Sequence, residues 1–333
     1  GTCTVLCLAF LCALAQPAAA QISSSVAVVP TEPVSAILSA FRTHRVVGIG
    51  DAHGNAQGPR FQIDLVRDAR FVETVDDILV ELGNSKHQDV LDRFIAGEDV
   101  PEESLIRVWQ DTAQPQAAPW SMPELFRVVR EVNRQRGATR RIRILILLGE
   151  PPIDWGAVRT AEDLKTYRAI SRDQFAVALV RREVLTKGRR VLMLYGAGHL
   201  FRKNVTHSIV SLLEDSGTAV FTVFTNSMAD LARVQPDIAT WPVPSLTAVR
   251  GTILGQLAFE QLLGPKAGDI PPEWRVPTED QFDSVLYLGH PDKITFAPVE
   301  AWPCAAAKFA ERLRRAALIR APIAERLKKS CRP

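Results

Sequence analysis

The sequence is poor in cysteine, tyrosine and methionine, and it carries no strong charge of either sign. Five cysteines stand in 333 residues, and Cys3, Cys7 and Cys12 all lie in the N-terminal apolar stretch. That is too few for a disulfide scaffold. No CxxCH motif occurs, so any haem would have to be held non-covalently. The formal net charge is only +3, and the basic excess is local: residues 304–333 hold nine Lys/Arg against two Glu, and the remainder holds 31 basic against 35 acidic residues. A mildly acidic body with a basic tail argues against nucleic acid as the main partner. No sequence period indicates repeats.

What is present starts with an uncharged apolar N-terminus that ends in Ala18-Ala19-Ala20 before Gln21. This is the form of the hydrophobic region and cleavage site of a secretory signal peptide, without its Met and basic start. Export to the periplasm or beyond is expected, with cleavage near Ala20. A membrane anchor is the rival, but the apolar run is short and Pro17 interrupts it. A lipoprotein signal fits less well, because Leu11 precedes Cys12. After cleavage only Cys304 and Cys331 remain. In an oxidising compartment they would form one disulfide closing the basic tail, with two free thiols as the alternative.

The chain is 47% hydrophobic, enough for a sizeable core. Short β-branched or apolar runs alternate with stretches of helical spacing. Strands are expected at 45–50, 76–84, 141–150, 189–199, 218–225 and 283–289. Helices are expected at 58–72, 87–97, 122–137, 171–188 and 207–217, and another begins near Pro101. This order predicts an α/β fold: a largely parallel sheet with helices on both faces, a site at the carboxyl ends of the strands, and a helical C-terminal extension. The expected organisation is a signal peptide (1–20), a linker and entry segment (21–44), a core (45–225), a lid or insert returning to the same domain with a late strand (226–303), and a basic helical tail broken near Pro322 (304–333). The tail is expected to present a solvated face, with membrane-surface contact as a second use.

Ligands of open α/β sheets bind beyond the carboxyl ends of the strands. Four predicted strands end in chemistry-bearing residues: Asp51 and His53; Glu81 and Asn84; Glu150 with Asp154 nearby; and His199. In parallel strands all four sets meet at one rim. A histidine can take a proton from water near neutral pH, and a neighbouring carboxylate can fix its tautomer. The same residue types also bind divalent metals, and spacing does not separate the two uses. Asp-x-His on its own is weak and could be a capping turn. His44, His87, His207 and His290 lack such partners and read as structural or surface residues.

The ordered segments "GIGDAHG", "ILVELGN", "SRDQFAVAL" and "VLMLYGAGH" resemble the erythromycin esterase / ChaN / TIKI superfamily over about residues 45–225. "SKHQDVLDRFIAG" is similar to a helix start in ChaN-like proteins. The resemblance implies that Asp51 and Glu81 take the acidic places, His53 and His199 the histidine places, and Arg172-Asp173 the helix start. Two departures stand out: Asp51 replaces the family's usual Glu, and the last motif offers one histidine. The expected catalytic set is Asp51, His53, Glu81 and His199, with Asn84, Glu150, Asp154, Arg172 and Asp173 binding a small-molecule substrate or ligand. The superfamily holds esterases, haem- or iron-binding proteins and metal-dependent proteases. The resemblance therefore implies an esterase-like hydrolase, a non-covalent haem or iron binder, or a metal-dependent hydrolase on the same residues. Cofactor (none, a divalent metal or haem) and oligomeric state stay open.

Overall fold

A computed structural model describes residues 26–113, 121–135, 144–263, 270–296 and 307–329. The expected signal peptide, Cys304 and Cys331 lie outside these residues, so the leader and the disulfide do not enter the structural account.

Seven strands form one sheet in the order β3-β2-β4-β1-β5-β7-β6. They are β1 (Val46–Asp51), β2 (Asp77–Asn84), β3 (Leu145–Glu150), β4 (Val191–Gly196), β5 (Val220–Thr225), β6 (Ser245–Ala248) and β7 (Ser284–Tyr287). All neighbours pair in parallel except β6, which runs antiparallel to β7 at the edge. The expected α/β architecture is therefore present. The edge strand β6 had no signal in the sequence: four residues directly after Pro242 and Pro244 show too little alternation to be read.

Helices of six residues or more are numbered in chain order. They are α1 (Pro33–Ala40), α2 (Gln57–Arg67), α3 (Gln88–Ile95), α4 (Glu102–Gln110), α5 (Ser121–Gln135), α6 (Ala161–Tyr167), α7 (Arg172–Leu179), α8 (Ile209–Glu214), α9 (Ala307–Ile319) and α10 (Ala321–Lys328). The expected entry segment is not a linker throughout. Pro33 opens α1 behind the Glu32 cap, and Ile37, Leu38 and Phe41 are buried in the main core. The long helix expected over 171–188 begins as α7 and continues as a π-helix over Val180–Leu185.

The strands sort their side chains by parity. Val47, Ile49, Ile78, Val80, Leu192 and Leu194 face one layer, with α1, α2, α3 and α5. Val46, Leu79, Val191, Met193 and Tyr195 face the other, with α7 and α8. Handedness explains the split. β1→β2→β3 moves one way across the sheet and β3→β4→β5 the other, so right-handed crossovers put their helices on opposite faces. Connections then leave β2 and β4 on opposite faces, and a crevice opens at their carboxyl ends.

Residues 226–303 were expected as a lid or insert returning to the same domain with a late strand. In the described part, Trp241, Phe259 and Phe282 form a third apolar cluster with Phe201, with Phe224 of β5 and with Val285 and Tyr287 of β7. The tail also packs inward. Leu318 and Ile319 of α9 lie on the cluster of Trp155, Ile153 and Val158, and Arg314 donates to the Val158 carbonyl at 3.0 Å. No helix among the described residues is long and apolar enough to cross a membrane.

Candidate functional site

The first site element is made by what β1 lacks. A Cβ on Gly48 or Gly50 would stand 3.0 Å from Leu200 Cδ1 or Ala197 Cα. The glycines let the turn after β4 cross close over β1, so residues 196–199 arrive beside residues 51–53. Beyond β1 the chain turns at Gly54, with φ of 92°. His53 is left half-exposed, with Nε2 3.5 Å from Glu81 Oε2.

Asp51 does not reach this pair. Its Oδ1 accepts from the Ala52 amide (2.8 Å), Thr225 Oγ1 (2.5 Å) and Ser227 Oγ (2.6 Å), and its Oδ2 accepts from Asn55 Nδ2 (2.7 Å). Its carboxylate is used to tie the ends of β1 and β5 together. The Asp51–His53 pairing that the short motif suggested is not formed: β1 ends at Asp51, the chain turns at His53, and both Asp51 oxygens are taken by Ala52, Thr225, Ser227 and Asn55.

Glu81 is the centre. It is 4% exposed, at a register irregularity in β2 between Val80 and Asn84. Oε2 accepts from the Gly196 amide at 2.6 Å. Oε1 accepts from Arg172 Nη2 at 2.9 Å and lies 3.3 Å from His199 Nε2. Burial opposes its charge, but His199, His53 and Arg172 together hold the carboxyl well below the usual range. Gly196 is required here: a Cβ would come within 2.7 Å of His53 Nε2 and 3.1 Å of Glu81 Oε2.

Arg172 opens α7, which Ser171 and Gln174 cap reciprocally. Its guanidinium spans Glu81 and Glu150, reaching Glu150 Oε1 at 3.1 Å. Glu150 is fully buried, which pushes its carboxyl up, and the Ala113 amide donates to its Oε2 at 2.8 Å. Asp173 Oδ1 accepts from His199 Nδ1 at 2.5 Å. Burial disfavours the His199 charge, but its bonds to Asp173 and Glu81 outweigh this and raise it to about 9. Nε2 has alternative partners: charged, it faces Glu81; neutral, it accepts from Arg172 Nη2 at 2.8 Å.

Asn84 and Asp154 stay outside the cluster. Asn84 is buried and spends its amide on the Asp111 and Ile153 carbonyls and the Lys86 and Ile153 amides. Asp154 pairs with Lys86 at 2.6 Å near the surface. Asn84 ends β2 and Asp154 follows β3, but the chain turns away at both places.

A small cleft of about 80 Å³, open to solvent, lies over His53 and Glu81. Its wall is mainly apolar, with Ile63, Met122, Leu125 and Leu194, and with Gln62 and Ser121 as polar points. The residues fit a divalent ion poorly. The Asp51 oxygens are hydrogen-bonded, those of Glu81 are shared with a guanidinium and an amide, and no three His, Cys, Asp or Glu among the described residues are placed to hold one. Sequence reasoning missed Gly196, Ala113 and Asp111. None is a strand-end acid or histidine, and two act through the backbone.

No family model matches the chain, and no curated protein matches it in sequence. Solved structures do match in shape. A protein from Bacillus cereus superposes with a TM-score of 0.52 at 11% identity, covering 81% of this chain and 94% of that one. A mutant erythromycin esterase in its open conformation gives 0.51 at 11% identity, over 79% and 94%. The fold is erythromycin-esterase-like. ChaN of Campylobacter jejuni, in a structure with cofacial haem, gives 0.38 at 13% identity over 59% and 86%. That likeness is too loose to bear on this chain. At such identities an esterase-like fold does not name a reaction.

Proposed function

We propose that this chain is a hydrolase of small-molecule esters or related carbonyl compounds, with His53 as the base that activates water. The observation that carries the reading is the His53–Glu81 pair, a half-exposed imidazole 3.5 Å from a buried, clamped carboxylate at the floor of a cleft. Glu81 can only accept, so it favours the tautomer with hydrogen on Nε2. Nδ1 then carries the free lone pair. Water gives its proton to Nδ1 as its oxygen attacks the carbonyl carbon. The imidazolium, stabilised by Glu81, returns that proton to the departing alkoxide. Arg172 and His199 hold Glu81 and do not themselves meet substrate: both His199 nitrogens are engaged within the cluster. The largely apolar wall suits an apolar substrate body.

The test is turnover of a panel of small esters and lactones by wild type and His53→Ala. Loss of a histidine base should lower kcat/KM by about 10²–10⁴-fold. Turnover that ignores the substitution, or none on any ester, overturns the reading. Retention of activity under chelator separates it from a metal-dependent hydrolase. A His53-dependent Soret shift on adding haemin, without turnover, would favour non-covalent haem binding instead. Export remains part of the proposal, resting on the apolar N-terminal segment, and cell fractionation tests it.

A further inference from the structure

The hydrogen bonds of the site do not stop at Glu150. Its Oε2 is held by the Ala113 amide, and Ala113 follows Asp111 by two residues at the end of α4. Asp111 is fixed from several sides. Its carbonyl accepts from Asn84 Nδ2 and Trp155 Nε1, each at 2.8 Å. Its carboxylate takes His87 Nε2 and Arg107 Nε at 3.0 Å on one oxygen and Arg315 Nη1 at 2.5 Å on the other. Arg315 belongs to α9, some two hundred residues along the chain. Its guanidinium also lies 5.1 Å from the Trp155 ring centroid. The same helix meets Ala113 a second way, because Leu318 and Ile319 pack on the apolar cluster that contains Ala113, Ile153 and Trp155.

We propose that Asp111 and Arg315 are positioning residues of the active site, and that docking of α9 sets the clamp on Glu81. The path runs from Arg315 to the Asp111 carboxylate and along the backbone to the Ala113 amide. It continues through Glu150 and Arg172 to Glu81 and so to His53. Each link is a hydrogen bond or a covalent step, apart from the last contact of 3.5 Å. Glu150 makes the path consequential. A fully buried carboxylate depends on its few donors, and the Ala113 amide is one of them. If Ala113 withdraws, Glu150 draws on Arg172 more strongly, and Arg172 is shared with Glu81. The proposal rests on the His53–Glu81 pair being the hydrolytic site, but its structural part can be read without substrate.

The experiment compares Arg315→Ala with Arg314→Ala in the full chain. Both arginines lie on α9 and both bond Glu311, but Arg314 bonds the Val158 carbonyl and not Asp111. A role limited to helix docking would affect the two alike. The readout is the set of guanidinium N–H signals of Arg172 in nitrogen-15 spectra of the ligand-free protein, which clamping between two carboxylates slows and disperses. Arg315→Ala should broaden or shift those signals and lower kcat about tenfold with little change in KM. Arg314→Ala should leave both near wild type, and Arg315→Lys, which keeps the charge at Asp111, should restore part of the effect. Unchanged Arg172 signals in Arg315→Ala, or equal effects in the two alanine variants, overturn the proposal. If Arg315→Ala does not fold, Arg315→Gln takes its place against the same criteria. If no ester is turned over, the Arg172 signals still decide the positioning claim while the hydrolase reading fails separately.

Discussion

At the residue scale, the geometry turns on a glycine that looks unremarkable in sequence. Gly196 gives its amide to Glu81 and leaves room for the His53 ring. Gly196→Ala should keep the fold, because half-exposed His53 can move aside. Its new methyl should push the imidazole off Glu81, with a fall in kcat/KM of about 10²-fold. Circular dichroism checks the fold and ester kinetics check the loss. His199 yields a second expectation. Its pKa in the folded protein is raised from 6.5 to about 9. A group raised on folding stabilises fully below its unfolded value and loses that contribution as pH rises through its folded value. Unfolding free energy should therefore decline between about pH 6.5 and about 9, and His199→Asn should flatten that decline in denaturant titrations across the window. Of the site residues named from sequence, Glu81, His53 and His199 meet, with Glu150, Arg172 and Asp173 behind them. Asp51, Asn84 and Asp154 are spent on turns and neighbouring loops.

At the element scale, position comes from strand ends and one helix start. The β2 irregularity after Val80 aims Glu81, and the cap of α7 aims Arg172. Ser171 Oγ accepts from the Gln174 amide at 3.1 Å while Gln174 Oε1 accepts from the Ser171 amide at 3.2 Å. Ser171→Ala removes half of that box and should destabilise the protein by about 1 kcal/mol. Arg172 is the next residue, so activity should fall further than stability alone explains. Chemical unfolding and kcat measured on the same preparation separate the two effects. The α7 boundary was legible because Ser-Arg-Asp-Gln carries its cap and charges locally. The π-helix that follows was not, since its sequence continues an ordinary helical pattern.

At the scale of the whole molecule, six strands among the described residues run parallel and the site sits where connections part to the two faces. The inner strands β4 and β1 have paired neighbours on both sides, whereas β3 and β6 are edges. Opening is costliest where both flanks are hydrogen-bonded and both faces are packed. Hydrogen exchange followed by mass spectrometry should find the slowest amides in Val191–Gly196 and Val46–Asp51, with β6 exchanging first. Comparable protection in β6 and β1 would contradict this account of the sheet. The C-terminal helices belong to the same body, with Arg314 and Arg315 turned inward. Lys308, Arg320, Arg326, Lys328 and Lys329 stay exposed, so these helices carry a solvated basic face beside the packed one.

By itself, the sequence determined what is local and periodic. Apolar runs ended by glycine made the parallel strands, and alternation of strand and helix made the α/β fold. Strand ends bearing Asp51, Glu81, Glu150 and the histidines announced one rim. Only the tertiary structure decided which of those residues meet. A strand-end side chain can face either layer or turn with its loop, and that choice depends on neighbours far away in the chain. Asp51 found Thr225 and Ser227, while Glu81 found Gly196, Arg172 and His199. The sequence could place the carboxylates at the rim. Packing alone assigned Glu81 to the histidines and Asp51 to the frame.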